Sequence, residues 1–156
     1  MLGVERWDGG PAFAPLLAAY VLATEIEKGS AATDAADLPE ALRSYLAGAA
    51  EYHAGDVVLI ASAGDLPVGC VVVTAPLDGV CEIKRLWVEP VARRGGAGRL
   101  LVREAIAAAS SRGASTARLT VWPWRTQALA LYASEGFGEV TSWDERDGLV
   151  CMELSL

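Results

Sequence analysis

The chain has 156 residues, a formal charge of −7, 53% hydrophobic residues and 21% charged ones, the balance of one folded domain spanning 1–156 and not of a disordered segment. No apolar run reaches the ~18–20 residues of a membrane span, and the opening Met1-Leu-Gly-Val-Glu-Arg-Trp-Asp8 lacks a basic and then apolar secretory pattern, so a cytoplasmic protein with no membrane partner is expected. Three cysteines without C-x-x-C spacing (Cys70, Cys81, Cys151) read as buried thiols, and a single histidine, His53, gives no basis for a zinc site or any other metal.

In chain order, residues 2–7 form a short strand closed by Asp8-Gly-Gly-Pro11. Phe13, Leu16, Leu17, Tyr20 and Thr24 then fall on one face of a helix that runs to about Lys28 and stops at Gly29. After a small, polar loop, Asp37 is placed to cap a second helix, with Glu40 three residues on and Leu42, Tyr45, Leu46 and Ala49 as its stripe up to about Tyr52. These two helices suit either plain packing or a wall over a groove. Three strands follow at 56–63, 67–75 and 80–89, joined by turns at Gly64-Asp65 and Leu77-Asp78-Gly79 so short that the pairs must be antiparallel. A helix at 98 to about 112 carries Val102, Ala105, Ile106 and Ala109 on one face. Strand 116–122 returns beside 80–89 as a parallel crossover. A helix at 126–135 ends at Gly136, and strands near 138–144 and 149–155 close the chain as a hairpin around Asp147-Gly148. The pattern is α+β with a mixed sheet.

The organising stretch is the bend after the strand at 80–89, Arg93-Arg-Gly-Gly-Ala-Gly-Arg99. Glycines at 95, 96 and 98 remove side chains, so backbone N–H groups can face one concavity, and the new helix adds its unsatisfied N–H groups and positive dipole end. That is a cradle for phosphate oxygens. Residues 84–125 hold nine basic and two acidic residues, whereas residues 1–83 balance to −9 and 126–156 to −5. Positive charge gathered at one turn of an acidic protein points to a small polyanion, and no nucleic acid partner is expected. A dinucleotide-binding turn fits poorly, because Gly96-Ala-Gly98-Arg-Leu-Leu101 lacks the third small residue of G-x-G-x-x-G.

These residues resemble the GNAT superfamily of N-acetyltransferases. The family's acyl-coenzyme A motif, Q/R-x-x-G-x-G/A, is met by Arg93, Gly96 and Gly98, and its Leu-Tyr-x-x-x-Gly-Phe helix end by Leu131, Tyr132, Gly136 and Phe137. The resemblance implies a GNAT fold, with about four helices and a mixed seven-stranded sheet whose fourth and fifth strands, 80–89 and 116–122, splay apart. It implies acetyl-coenzyme A as acyl donor, no metal, and a small-molecule, peptide or protein amine as acceptor; a homodimer is left open. Pantetheine would pair with the main chain of Leu86, Trp87 and Val88 as an added strand. The pyrophosphate would lie on residues 94–99, that is Arg94, Gly95, Gly96, Ala97, Gly98 and Arg99, with Arg93 also near. Many family members have Asn seven residues before the tyrosine; this chain has Arg125 there, which is taken as a coenzyme A contact of altered chemistry.

Amide formation needs a neutral amine, a stabilised oxyanion and a proton for the departing thiolate. Glu82, on the fourth strand eleven residues before Arg93, is the candidate base, as in members that take theirs from this strand; the alternative is an ion pair with Lys84. The other position used in the family, two residues before Trp122, is Thr120 and cannot serve. Tyr132 is the candidate acid, and a backbone N–H near Val88 would meet the oxyanion. Alternation puts Glu82, Lys84, Leu86 and Val88 on one face and Cys81, Ile83, Arg85 and Trp87 on the other. Trp122-Pro-Trp124 would shape an aromatic pocket, hold a cation, or pack. Negative charge at both ends of the chain, including Asp144, Glu145 and Asp147, steers toward a cationic or neutral acceptor. The function implied is an acetyl-coenzyme A-dependent N-acetyltransferase acting by direct attack on the thioester; the competing reading is a non-catalytic acyl-coenzyme A-binding module or partner subunit.

Overall fold

A computed structural model describes residues 1–48 and 55–156. Seven strands form one sheet in the order β1-β2-β3-β4-β5-β7-β6: β1 Leu2–Arg6, β2 Val57–Ala63, β3 Leu66–Val73, β4 Val80–Val88, β5 Thr116–Val121, β6 Gly138–Val140 and β7 Val150–Ser155. Among the described residues four α-helices accompany them, α1 Phe13–Glu27, α2 Glu40–Ala47, α3 Ala97–Ser111 and α4 Thr126–Ser134. All pairings are antiparallel except β4 with β5.

The sequence of the central strands reflects cover on both faces. In β2, Val57, Leu59 and Ala61 pack with α3, while Val58 and Ile60 pack with α1. A strand buried on both sides needs an almost unbroken apolar run, and β2 and β3 have one. Strand β5 is different: Ala117, Leu119 and Val121 are buried, and Thr116, Arg118 and Thr120 between them are only partly covered. Its polar face lies on the side where no helix packs closely, and there the sheet opens.

Helix α1 buries Phe13, Leu16, Leu17, Val21 and Thr24. Val21 replaces Tyr20 in the expected stripe, and Tyr20 is left partly exposed. Helix α2 starts at Glu40 behind Pro39, not behind Asp37. The residue before a proline is pushed out of the helical region, and Leu38 is extended (φ −72°, ψ 154°). Asp37 instead closes a single 3-10 turn over Ala35–Asp37, whose cap is Asp34. Ala49, the expected helix end near Tyr52, and His53 lie outside the described residues. Strand β6 ends at Val140, short of the expected 144, since its ladder with β7 stops at Val140 opposite Cys151; further on, Asp144 accepts from the Arg146 amide at 2.8 Å in a local turn. All three cysteines are buried free thiols, and burial pushes Cys70 up to about 12, so it is inert at neutral pH.

Two features of β4 shape the centre of the sheet. Its ladder with β5 covers only Val80, Cys81 and Glu82, opposite Thr116, Ala117 and Arg118. Beyond Glu82 the two strands part. The register against β3 also slips between Lys84, opposite Val72, and Trp87, opposite Cys70, so one β3 residue faces both Arg85 and Leu86. Arg85 takes up the extra residue with φ 58°, a bulge. The bulge overturns the simple alternation. Trp87 joins Glu82 and Lys84 on the α1 face, while Leu86 and Val88 join Cys81 and Ile83 against α3.

Candidate active site

The gap between β4 and β5 opens into a cleft of about 1030 Å3 that runs from the β4-α3 bend past Glu82 to the Trp122-Pro-Trp124 turn and α1. Along its first part, β4 from Ile83 to Val88 presents an edge that β5 does not pair. The Val88 carbonyl on this stretch accepts from Arg93 Nε at 3.0 Å, and the Arg93 guanidinium also lies 4.9 Å from the centre of the Trp87 ring.

At the bend, Arg94 (φ 68°) and Gly96 (φ 91°) are both left-handed, one residue apart. For Gly96 the reason is conformational: a side chain there would meet nothing within 4 Å, but would have to adopt that φ. For Gly98 the reason is space, because an added Cβ would sit 3.4 Å from Leu131 Cδ2 and 3.8 Å from Val88 Cγ2. The first amide of α3 with a backbone acceptor is Leu100, bonded to Gly96 O at 3.0 Å; the N–H groups of residues 94–99 have none among the described residues. Six donors are therefore free at the positive end of a 15-residue helix. This donor set and the narrow floor at Gly98 fit a diphosphate leading to an extended chain.

The arginines divide by partner. Arg99 lies 2.7 Å from Glu135, which also binds Arg103 at 3.1 Å, so it clamps α3 to the end of α4. These contacts hold the Glu135 carboxyl below its ordinary range, the Arg103 hydrogen bond being the largest influence. Arg94 has no partner among the described residues. Arg125 stands before α4, and its guanidinium turns to α1: Nε donates to Glu27 at 2.9 Å, Nη2 to Thr24 Oγ1 at 2.8 Å, and the group lies 5.5 Å from the Tyr20 ring. Trp124 Nε1 reaches the same Glu27 carboxylate at 3.2 Å. Trp122 and Trp124 stack at 4.8 Å with planes 8° apart, and Lys28 lies 5.5 Å over Trp122. The aromatic turn thus packs as the seam between α1 and the cleft mouth, and the cation over its ring is the protein's own.

Glu82 lines the cleft at the last rung before the strands part. Its amide N–H is held by Thr74 Oγ1 at 2.8 Å, which fixes the strand, and its carboxylate has neither hydrogen bond nor ion pair among the described residues. The anticipated pair with Lys84 does not form. Tyr132 lines the opposite wall, buried with its ring 6.0 Å from Phe137. Burial pushes its phenol above the ordinary value, nearby Tyr20 adds to that, and Arg125 opposes it. Leu86, Trp87, Val88, Arg93, Arg94, Gly96, Ala97, Gly98, Arg99 and Arg125 all line the same cleft as Glu82 and Tyr132. Gly95 lies in the exposed bend beside them.

A sequence model of the acetyltransferase (GNAT) family matches residues 22–137. The chain belongs to the GNAT acetyltransferase family. Solved structures share the whole architecture at low identity. An acetyltransferase from Streptococcus agalactiae superposes with a TM-score of 0.76 at 14% identity, covering 99% of this chain and 98% of that one. The PaiA N-acetyltransferase of Thermoplasma acidophilum, solved with coenzyme A, gives 0.74 at 15%, covering 100% and 99%. A Bacillus subtilis acetyltransferase, also solved with coenzyme A, gives 0.71 at 21%, again covering 100% and 99%. A search of curated protein sequences finds no match. Among the described residues no helix is long and apolar enough to cross a membrane.

Several residues of this GNAT cleft were not singled out from the sequence. Tyr20 and Glu27 reach it from α1, and Arg146 from the loop before β7. The only signal for them is tertiary: Glu27 and Arg125 are 98 positions apart. Of the acidic residues behind the charge steer, those near the chain end stay off the cleft. Among the described residues, Glu27 and Glu82 are the only acidic ones lining the cleft. Asp144 is bound through both oxygens to Arg146 at 3.0 Å and held at about 2, while Glu145 and Asp147 face solvent outside the lining.

Proposed function

We propose that this GNAT protein transfers an acetyl group from acetyl-coenzyme A to the primary amine of a small molecule or peptide by direct attack on the thioester. The observation that carries the reading is one continuous cleft. It joins unpaired amides at residues 94–99 to an unpaired carboxylate, Glu82, and a cleft-facing phenol, Tyr132. The amides would hold the diphosphate, with Arg94 near it. The open edge of β4 at Leu86, Trp87 and Val88 would pair with the amide-bearing arm, and Gly98 leaves room for it beside Leu131. Arg93 and Arg99 act mainly by bracing these walls, and Arg125 by holding α1 against the mouth.

Coenzyme A would supply an activated acyl thioester there; the protein supplies positions and protons. An alkyl amine of pKa near ~10 is mostly protonated at pH 7, so Glu82, directly or through water, takes the proton from the incoming ammonium. Having no internal partner, its carboxylate loses no bond in doing so. Tyr132 presents an O–H to the departing sulfur. Burial keeps the phenol protonated through the neutral range; it also weakens the drive for complete transfer, which nearby Arg125 partly restores. A backbone N–H near Val88 would meet the developing oxyanion.

The test is to mix the protein with acetyl-coenzyme A and a panel of primary amines and follow free thiol together with the mass of the acceptor. Thiol release matched by a gain of one acetyl group on an amine is expected. Coenzyme A binding with no acetylated product across a broad panel would leave an acyl-coenzyme A-binding module in place of the enzyme.

A further inference from the structure

The acceptor end of the cleft holds more positive charge than an amine substrate alone explains. Its basic lining residues are Lys84, Arg85, Arg125 and Arg146, against Glu27 and Glu82. Internal pairing accounts for most of these. Arg125 is matched by Glu27, Arg146 by Asp144, and Arg85 Nε donates to the Tyr45 hydroxyl at 2.9 Å with its guanidinium over that ring. Two charges remain without a side-chain hydrogen bond or ion pair among the described residues, the Glu82 carboxylate, which feels Arg146 only through space, and the Lys84 ammonium. They sit two residues apart on the same face of β4, ahead of the bulge. Their side chains leave the strand roughly 7 Å apart, and they do not approach within ion-pair distance of each other.

A free acid and a free base side by side in an open cleft present a matched pair of hooks. A protonated amine carrying no anion would meet the carboxylate beside an unmatched Lys84 ammonium, and like charge at this range disfavours it. An amine whose neighbouring carbon bears a carboxylate would satisfy both groups. Charge-assisted bonds of about 2.8 Å at each end, joined through one or two carbons, span roughly the distance between the two side chains. We infer that the acceptor is a small zwitterion, an α-amino acid or a close analogue, with its amine at Glu82 and its carboxylate held by Lys84. This rests on the acetyl-transfer reading above and narrows it. Lys84 is then the residue that sets specificity. Its compact, flexible ammonium suits a carboxylate that must settle while the amine finds its line of attack.

The experiment uses matched sets on the intact protein: L-leucine, leucinamide and 3-methylbutylamine, and L-phenylalanine, phenylalaninamide and 2-phenylethylamine. The expected result is a kcat/KM at least about tenfold higher for each amino acid than for its amide or decarboxylated partner, expressed mainly in KM. Lys84→Met should collapse that ratio to near one, and Lys84→Arg should keep most of it. Equal or better use of the uncharged partners, or a preference that survives in Lys84→Met, would overturn the inference. The same comparison is read by calorimetry with N-acetyl-leucine against N-acetyl-3-methylbutylamine in the presence of coenzyme A. If no amine is turned over, the transfer reading fails, while a Lys84-dependent preference for N-acetyl-leucine would still support carboxylate capture at Lys84 and its absence would overturn it.

Discussion

Replacing Gly96 with alanine isolates the backbone's share of the proposed phosphate cradle. Gly96 caps α3 with φ 91° and ψ 0°, and a Cβ built there meets nothing within 4 Å, so the substitution introduces no clash. What remains is the cost of holding an L-residue in the left-handed region, about 1–2 kcal/mol. At about 2–4 °C per kcal/mol for a chain of this size, Gly96→Ala should melt about 2–8 °C lower. Whatever part of that strain the bend releases by relaxing in the free protein is missing from the melt and must be restored on binding, where about 1–2 kcal/mol weakens coenzyme A by about 5- to 30-fold. Gly113 is the control. It also has a positive φ, 83°, with nothing within 4 Å, but it lies beyond the other end of α3. Gly113→Ala should lose similar stability and leave affinity alone. Calorimetric titration with coenzyme A and thermal melts of both variants decide the matter. Wild-type affinity in Gly96→Ala together with a melting loss clearly smaller than the control's would refute the claim that this bend holds the ligand, because the strain released by relaxing would then never be restored on binding.

Gly98→Asp puts a carboxylate among the free amides and a side chain against Leu131 and Val88; coenzyme A binding should be lost with the circular dichroism spectrum intact, and retained affinity by calorimetry would contradict the cradle. Glu82→Gln should lower turnover most at low pH, where deprotonating the amine limits the rate; a pH-rate profile matching the wild type would remove Glu82 from the mechanism. Tyr132→Phe should lower kcat at least about tenfold with little change in the KM for acetyl-coenzyme A. Because burial raises this phenol's pKa, the wild-type rate should show no loss from Tyr132 ionising between pH 7 and 9, and a Tyr132-dependent fall there would count against it. Asp144 has its pKa lowered from 3.8 to about 2 by Arg146, so its contribution to stability is present above about pH 4 and lost as pH falls toward 2. The melting difference between wild type and Asp144→Asn should therefore shrink across that window, and a constant difference would show that the Asp144–Arg146 pairing does not act as described.

Much of the fold was legible because its signals are local. Turns at Gly64-Asp65 and Leu77-Asp78-Gly79 force antiparallel strands, and the bare bend at 95–98 announces a strand-to-helix junction with free amides. The start of α2 was also within reach, since Pro39 excludes Leu38 from a helix, but the capping pattern around Asp37 drew the boundary too early. The slip at Arg85 carried no such mark, because nothing in Glu82-Ile-Lys-Arg-Leu-Trp-Val88 distinguishes an evenly pleated strand from a bulged one. Only the pairing of Val72 with Lys84 and Cys70 with Trp87 reveals it.

By itself the sequence determined the order of the elements, the place of the bend with its free amides and the residue types around it, because these depend on glycine's freedom, on periodicity and on groups a few positions apart. Which charges are free to act was decided only by tertiary structure. Glu27 meets Arg125 across 98 positions, Glu135 takes Arg99 across 36, and Glu82 and Lys84, two residues apart, are left unpaired. A charge's role depends on what folding brings within a few ångströms of it, and a count along the chain cannot supply that distance.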